Sequence, residues 1–181
     1  VEVMGMFLQA GWVDVGFLSG SQVDRYGNIN TTVIGDYASP KHRLPGSGGA
    51  NPIGALTKRT LIIAVHNTRT FAERVDFITT PGYLDGPGSR EKWGLAPDTG
   101  PEVIITNKAV LRFDKETKEA YLATYHPDSS VDEVVKLTPW KLRVADDVHE
   151  TEPPTAEELR VLREVLDPFR MIKIYEKRGY V

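Results

Sequence analysis

A glycine-rich segment, Leu44–Pro52, has the residue types and spacing best suited to chemistry in this 181-residue sequence. Gly46, Gly48 and Gly49 fall within four consecutive positions. Because glycine raises the entropic cost of folding, this density suggests that the segment needs bare backbone. A glycine loop that opens a helix presents unpaired N–H groups, which suit a phosphate, a carboxylate or a developing oxyanion. The segment matches neither the dinucleotide-binding fingerprint nor the P-loop. The residues alone therefore leave two interpretations open, an anion-binding loop and a flexible surface turn.

A second candidate is the polar segment from Ser21 to Thr32, which is dense in amides, hydroxyls and carboxylates. Asp24–Asn28 has the composition of a turn, in which Gly27 or Asn28 can adopt positive φ. The residues from Ile29 to Ile34 then predict a strand. Taken alone, the segment favours a turn whose polar groups bond to one another rather than to a ligand.

Arg90 and His66 are isolated candidates. Arg90 lies in the Gly- and Pro-rich loop from Thr79 to Gly100, and loops of this length are usually functional or mobile. It could bind an anion, but from the sequence we expect it to pair with a nearby carboxylate. His66 follows an apolar run, where we expect a structural role rather than a catalytic one. The four histidines lack zinc-ligand spacing and there is no cysteine, so we predict no metal site.

The apolar patterns indicate how these segments are positioned. They predict an α/β fold with a mainly parallel sheet and an antiparallel hairpin at Phe113–Tyr121. We predict two buried strands, Trp12–Gly20 and Leu61–Val65, each covered on both faces. Predicted helices are Val3–Ala10, Ile53–Lys58, Val131–Leu137 after a Ser130 cap with Glu133 completing a capping box, and Ala156–Leu166 after a Thr155 cap. We expect one domain over residues 1–181, in which residues 146–181 form a C-terminal linker, helix and tail.

The overall composition excludes several classes of protein. The net charge of −3 leaves no broad basic surface for nucleic acid. No apolar run approaches the length of a membrane span, so we expect no membrane partner. The absence of cysteine fits a cytoplasmic protein. The sequence opens at Val1 in an apolar run without a helix start signal, and we therefore expect it to be an N-terminally truncated piece of a longer protein.

Several segments, in one fixed order, resemble the beta subunits of family I CoA-transferases, and most of all the glutaconate CoA-transferase type. The resemblance covers almost the whole chain, and its motifs are specific only as a set. They are Gly20–Thr32, Pro45–Ala50, the strand ending at His66, Phe77–Leu84, Gly100-Pro101 before Val103–Thr106, Tyr125–Pro127, and Pro154-Thr155 with Glu158–Arg160.

This resemblance implies an open, mostly parallel α/β sheet flanked by helices, with a C-terminal helix. It implies an alpha-subunit partner, in a heterodimer or heterotetramer, and movement of CoA between carboxylic acids through a glutamyl-CoA thioester. The CoA thioester is then a substrate, and no cofactor is bound permanently. Two alternatives stay open, a CoA-ester ring-cleaving hydrolase subunit of steroid catabolism and a non-catalytic scaffold subunit.

The resemblance also assigns roles to residues. Backbone N–H groups of Gly48 and Gly49, with Ala50 as a further candidate, are expected to stabilise the thioester oxyanion. The expected contacts to substrate or CoA are Gln22, Asn28, Gly46, Ser47 and Ala50. The family's nucleophilic glutamate lies upstream of the Gln22–Asp24 motif and is expected outside this chain, because Glu2 lies in the wrong context.

Overall fold

A six-stranded mixed sheet organises the computed structural model, which describes residues 3–169 and 171. The strands of the chain are β1 Val15–Leu18, β2 Gln22–Val23, β3 Ile29–Asn30, β4 Val33–Gly35, β5 Pro40–Arg43, β6 Arg59–Ala64, β7 Gly100–Thr106, β8 Ala109–Phe113, β9 Ala120–Tyr125 and β10 Arg143–Glu150. The strand order of the six-stranded sheet is β1-β6-β7-β8-β9-β10. The β1/β6, β6/β7 and β9/β10 pairings are parallel, and β7/β8 and β8/β9 are antiparallel.

Short helices and two antiparallel hairpins, β2/β3 and β4/β5, flank this sheet. The α-helices are α1 Ala50–Leu56, α2 Ser89–Lys92, α3 Val131–Lys136 and α4 Ala156–Arg160, and the π-helical segments are Val3–Phe7 and Val161–Leu166. The prediction of an open, mostly parallel α/β sheet with helices and an antiparallel hairpin is therefore confirmed. The predicted C-terminal helix is present, although its second half is π-helical.

The core lies between the sheet and the elements packed on one of its faces. Ile62, Ile104, Leu111 and Leu122 come from four adjacent strands, are at most 1% exposed, and join Val134 of α3 in one cluster. Non-directional burial of such side chains is the main force holding a domain of this size together.

The prediction that the first two strands are covered on both faces is wrong. In β1 the burial alternates, and Phe17 is 64% exposed. On β6, Ile63 is 50% exposed. Parallel pairing makes such strands apolar on both faces, but burial depends on what packs there, and within residues 3–169 and 171 one face of β1 and β6 stays open.

Helix caps follow the sequence signals closely. Ser130 Oγ accepts from the Glu133 N–H, and Thr155 forms a full capping box with Glu158. The predicted box at α3 is wrong in one respect, because the Glu133 carboxylate instead accepts from Lys108 Nζ at 2.6 Å and from Ser129 Oγ at 3.2 Å. A nearby cation offers the carboxylate a stronger partner than a backbone N–H.

Candidate functional site

The glycine loop runs from the end of β5 to the start of α1 and combines left-handed backbone with open surroundings. Gly46 has φ +94 and Gly48 has φ +47, conformations that side-chain-bearing residues rarely adopt. A Cβ atom on either glycine would meet nothing within 4 Å. Both glycines are therefore required by backbone conformation, and the space beside them is free for a ligand. Gly49, with φ −86, is under no such conformational constraint.

The N–H groups of this loop divide into engaged and available ones. Gly46 N–H donates to the Thr31 carbonyl at 2.8 Å, and Ala50 N–H donates to the Ser47 carbonyl at 2.8 Å. The N–H groups of Gly48 and Gly49 form no hydrogen bond within the described part of the chain, and Gly48 is exposed. The expectation that Ala50 donates to an oxyanion is therefore not met in this conformation, because its N–H already closes the turn. The N–H groups of Gly48 and Gly49 stay available within the described part of the chain.

Two contacts that the sequence did not reveal anchor this loop at its ends. At its entry, Thr31 Oγ1 donates to the Gly46 carbonyl at 2.9 Å and so reciprocates the bond from the Gly46 N–H. At its exit, the amide of Asn51 in α1 donates to the Thr79 carbonyl at 2.9 Å. Asn51 is the second residue of α1 and Thr31 is the second-last residue of the polar segment, but no spacing rule connects either one with Thr79.

Asn28 is enclosed by its own chain. It is 1% exposed, and its amide nitrogen donates to Asp24 Oδ2 and to the Leu84 carbonyl, both at 2.9 Å. Its amide oxygen accepts from the N–H groups of Gly82 and Leu84 at 2.9 and 3.0 Å. With four hydrogen bonds made, the side chain has no capacity left for CoA. In this conformation the Asn28 side chain ties the turn to the following loop.

Gln22 is similarly engaged. Its amide oxygen accepts from Asn30 Nδ2 at 2.7 Å and from the Asp76 N–H at 3.0 Å, while its amide nitrogen donates to Asp76 Oδ2 at 3.1 Å. Burial also raises the pKa of the neighbouring Asp24 carboxyl, which hydrogen bonds from Asn28 and Tyr26 partly offset. The interpretation from the residues alone, a turn whose polar groups satisfy one another, is confirmed.

The predicted ion pair of Arg90 is wrong. This side chain is 2% exposed, and among the described residues no carboxylate pairs with it. Its guanidinium donates to the carbonyls of Gly82 at 2.8 Å and of Gly54 and Ala55 at 3.4 Å, and to Thr99 Oγ1 at 2.9 Å. Burial lowers its pKa. Gly54 and Ala55 are in the last turn of α1, where carbonyls lack helical partners, so Arg90 caps that helix.

His66 has the structural role expected of it. The ring is 2% exposed, stacks on Phe71 with centroids 4.3 Å apart, and lies 3.0 Å from Thr138 Oγ1 and 3.3 Å from Thr106 Oγ1. Burial, helped by the nearby Lys108 ammonium, lowers its pKa to about 4. A neutral imidazole enclosed in this way is part of the core rather than of a reaction site.

Between residues 3 and 169 and at residue 171, no cluster of three or more His, Asp or Glu side chains could hold a metal ion. No helix in the same ranges is long and apolar enough to cross a bilayer.

The chain is similar in sequence to proteins of known family. The coenzyme A transferase family profile matches residues 2–137. The B-type subunit of glutaconate CoA-transferase from Acidaminococcus fermentans is 46% identical over 154 residues, which cover 85% of this chain and 57% of that protein. The B-type subunit of 3-oxoadipate CoA-transferase from Pseudomonas knackmussii is 44% identical over 162 residues, which cover 90% of this chain and 62% of that protein.

The fold agrees with the sequence match. The crystal structure of glutaconate coenzyme A-transferase from Acidaminococcus fermentans aligns with a TM-score of 0.80 and 43% identity, covering 87% of this chain and 60% of that one. The chain thus spans between 57% and 62% of the length of these relatives. The family match includes the glycine loop, the Gln22–Asn28 turn and the Arg90 cap, and the chain belongs to the coenzyme A transferase family.

Proposed function

We propose that this chain acts as part of a CoA-transferase beta subunit, together with an alpha subunit, and moves CoA between carboxylic acids. The observation that carries the proposal is the glycine loop, in which the adjacent N–H groups of Gly48 and Gly49 form no hydrogen bond within the described part of the chain and a Cβ atom on Gly48 would meet nothing within 4 Å. Family membership, and the names of two relatives at 44% and 46% identity, support the same activity. Those two relatives are named for glutaconate and for 3-oxoadipate, so the proposed acyl group is a dicarboxylate or a 3-oxoacid.

The chemistry proposed for the loop is oxyanion stabilisation. A glutamate carboxylate adds to the thioester carbonyl, and negative charge develops on the carbonyl oxygen while the carbon becomes tetrahedral. Collapse expels CoA thiolate and leaves an anhydride, and the thiolate then attacks the glutamyl carbonyl, which releases the free acid and leaves glutamyl-CoA. N–H groups of Gly48 and Gly49 donate to the oxygen at each tetrahedral stage, and a pre-set donor pair costs no reorganisation there.

The remaining residues of the proposed site are Ser47, Gly46 and Ala50, which differ in the contacts they can make with a ligand. Ser47 is exposed, and its hydroxyl, 3.4 Å from the Gly48 carbonyl, can turn towards a ligand. Gly46 and Ala50 border the same space and are proposed to line it. No residue of this chain is assigned as the glutamate, and Glu2 lies outside the described residues.

Trapping the covalent intermediate tests the proposal. The protein is purified in complex with its alpha subunit, incubated with an acyl-CoA, and treated with borohydride, which reduces a glutamyl thioester to an alcohol. Peptide mass spectrometry then reports whether a glutamate is modified, and CoA transfer to an added carboxylic acid is followed in parallel. We expect a modified glutamate and acceptor-dependent transfer.

The alternatives predict different results in the same experiment. A ring-cleaving hydrolase consumes a cyclic acyl-CoA and water without forming any reducible adduct. A scaffold role predicts that transfer and adduct both survive in Gly48→Val, which places a branched side chain in the open space beside the loop. Either result would reject the proposed role, and a neutral surface variant such as Lys115→Gln controls for nonspecific loss.

A further inference from the structure

We propose that Thr79 is a positioning residue that fixes both ends of the glycine loop, and so sets where the Gly48 and Gly49 N–H groups point. The proposal rests on the function proposed above for these two groups. Thr79 is 4% exposed and follows the Phe77-Ile78 pair at the start of a long loop. Its burial removes it from direct contact with substrate, so any effect on the reaction must pass through its neighbours.

The hydroxyl of Thr79 holds the entry of the glycine loop through the turn after β3. Thr79 Oγ1 accepts from the Thr31 N–H at 2.9 Å and lies 2.7 Å from Thr32 Oγ1. Thr31 exchanges two hydrogen bonds with Gly46, at 2.8 and 2.9 Å, and the Thr32 carbonyl accepts from the Leu44 N–H at 3.0 Å. The N–H groups of Leu44 and Gly46 at the entry therefore donate to two residues, Thr32 and Thr31, that the Thr79 hydroxyl contacts.

The backbone of Thr79 holds the exit of the loop through α1. Its carbonyl accepts from Asn51 Nδ2 at 2.9 Å. Next in sequence, Thr80 packs so closely against Gly54 that a Cβ atom added to Gly54 would clash with Thr80 Cγ2. The N–H groups of Thr79 and Thr80 both donate to the Ile29 carbonyl at 3.0 Å, which ties the pair to β3.

Thr79 thus connects the two ends of the loop. It holds Gly46 through Thr31 and holds Asn51 directly, and only Ser47–Ala50 lie between these two positions. A stretch this short has little freedom once its ends are fixed. The orientation of the Gly48 and Gly49 N–H groups then follows from the distance between the two anchors, which Thr79 sets.

Loss of the Thr79 hydroxyl is expected to affect turnover more than binding. Donors to an oxyanion act when charge develops in the transition state, so their misplacement removes stabilisation that the bound substrate never had. Small displacements of positioned groups carry large rate penalties. An effect confined to stability would instead leave kcat of the folded enzyme unchanged.

Three variants separate these possibilities in the complex with the alpha subunit. Thr79→Val removes the hydroxyl at nearly constant shape, Thr79→Ser restores it, and Thr138→Val is the matched control. Thr138 is likewise buried, and within the described residues its hydroxyl bonds to Val134 and His66 and to nothing else. We expect Thr79→Val to lower kcat about 10-fold with a KM change below about 3-fold, and Thr79→Ser to recover most of kcat. Unchanged kcat in Thr79→Val, or an equal loss in Thr138→Val, would overturn the proposal.

A second readout does not depend on activity. Nitrogen-15 relaxation of the full 181-residue chain reports the order parameters of the Gly48 and Gly49 N–H bonds. We expect these to fall in Thr79→Val and to stay at the wild-type value in Thr138→Val and Thr79→Ser. If the wild-type complex neither transfers CoA nor forms an adduct, the proposed function fails while the relaxation data still decide whether Thr79 fixes the loop. Unchanged order parameters in Thr79→Val would reject the positioning role whatever the kinetics show.

Discussion

His66 makes the stability of this chain depend on pH, because its ring is folded into the core in the neutral form. Burial lowers its pKa from 6.5 to about 4; the Lys108 ammonium acts in the same direction and the Glu133 carboxylate acts against it. The folded chain therefore binds this proton less tightly than the unfolded chain does. The stabilisation is fully present above pH 6.5 and is lost as the pH falls from 6.5 to about 4.

The size of the loss follows from the two pKa values. The difference between 6.5 and about 4 corresponds to about 3 kcal/mol in full. At pH 5, where the unfolded imidazole is largely charged and the folded one is not, about 2 kcal/mol of this is already lost. This is a large fraction of the roughly 5–15 kcal/mol that stabilises a typical domain.

Urea unfolding at pH 7.5 and at pH 5, followed by tryptophan fluorescence, measures this loss. Trp140 is 4% exposed and its ring lies 5.5 Å from that of Phe71, so it reports on the same part of the core. The comparison variant is His66→Gln, which cannot titrate. It keeps every other titrating group, including Asp24, whose raised pKa favours the folded state in acid. We expect the wild-type chain to lose about 2 kcal/mol more than His66→Gln, and equal losses would refute the argument.

Two further predictions concern the glycine loop and the helix behind it. Because Gly48 has φ +47 and Gly49 has φ −86, Gly48→Ala should cost about 1 kcal/mol more unfolding free energy than Gly49→Ala; equal values in urea titrations would show that the loop relaxes. Arg90→Met should cost about 2 kcal/mol or more, since it leaves the buried Gly54 and Gly82 carbonyls without their donor. The exposed ion pair of Arg59 with Glu102 provides the control, Arg59→Met, with an expected cost below about 1 kcal/mol, and similar thermal shifts for both variants would contradict the capping role.

Features encoded by adjacent residues could be predicted from the sequence. The turn at Asp24–Asn28 forms with Gly27 at φ +69, and the Ser130 and Thr155 caps form as their spacing indicates. The density of glycine in residues 46–49 was sufficient to predict the glycine loop. Each of these depends on interactions within about four residues, the range over which sequence rules act.

Features that depend on distant partners could not be predicted. Arg90 bonds to carbonyls up to 36 positions away and the Thr79 hydroxyl to a residue 48 positions away. Backbone carbonyls are acceptors at every position, so nothing in the sequence distinguishes those that Arg90 meets. A carboxylate was the expected partner because it is the commoner partner of an arginine; here several weaker acceptors and the end of a helix replace it.

The loop from Thr79 to Gly100 has a structural role that involves α1, the helix that follows the glycine loop. Sequence rules classed it as a functional or mobile loop, yet it holds α1 at both ends, through Thr79 and Asn51 at the start and through Arg90 and Gly54 at the finish. An isolated helix of seven residues is too short to be stable by itself, so these tertiary contacts must supply its position. The free N–H groups of Gly48 and Gly49 are therefore held in place by Thr79 and Arg90, which are buried and lie far from the loop in the sequence. It follows that Thr79→Val and Arg90→Met should loosen the Gly48 and Gly49 N–H groups through different anchors, the first at the entry of the loop and the second at the end of α1.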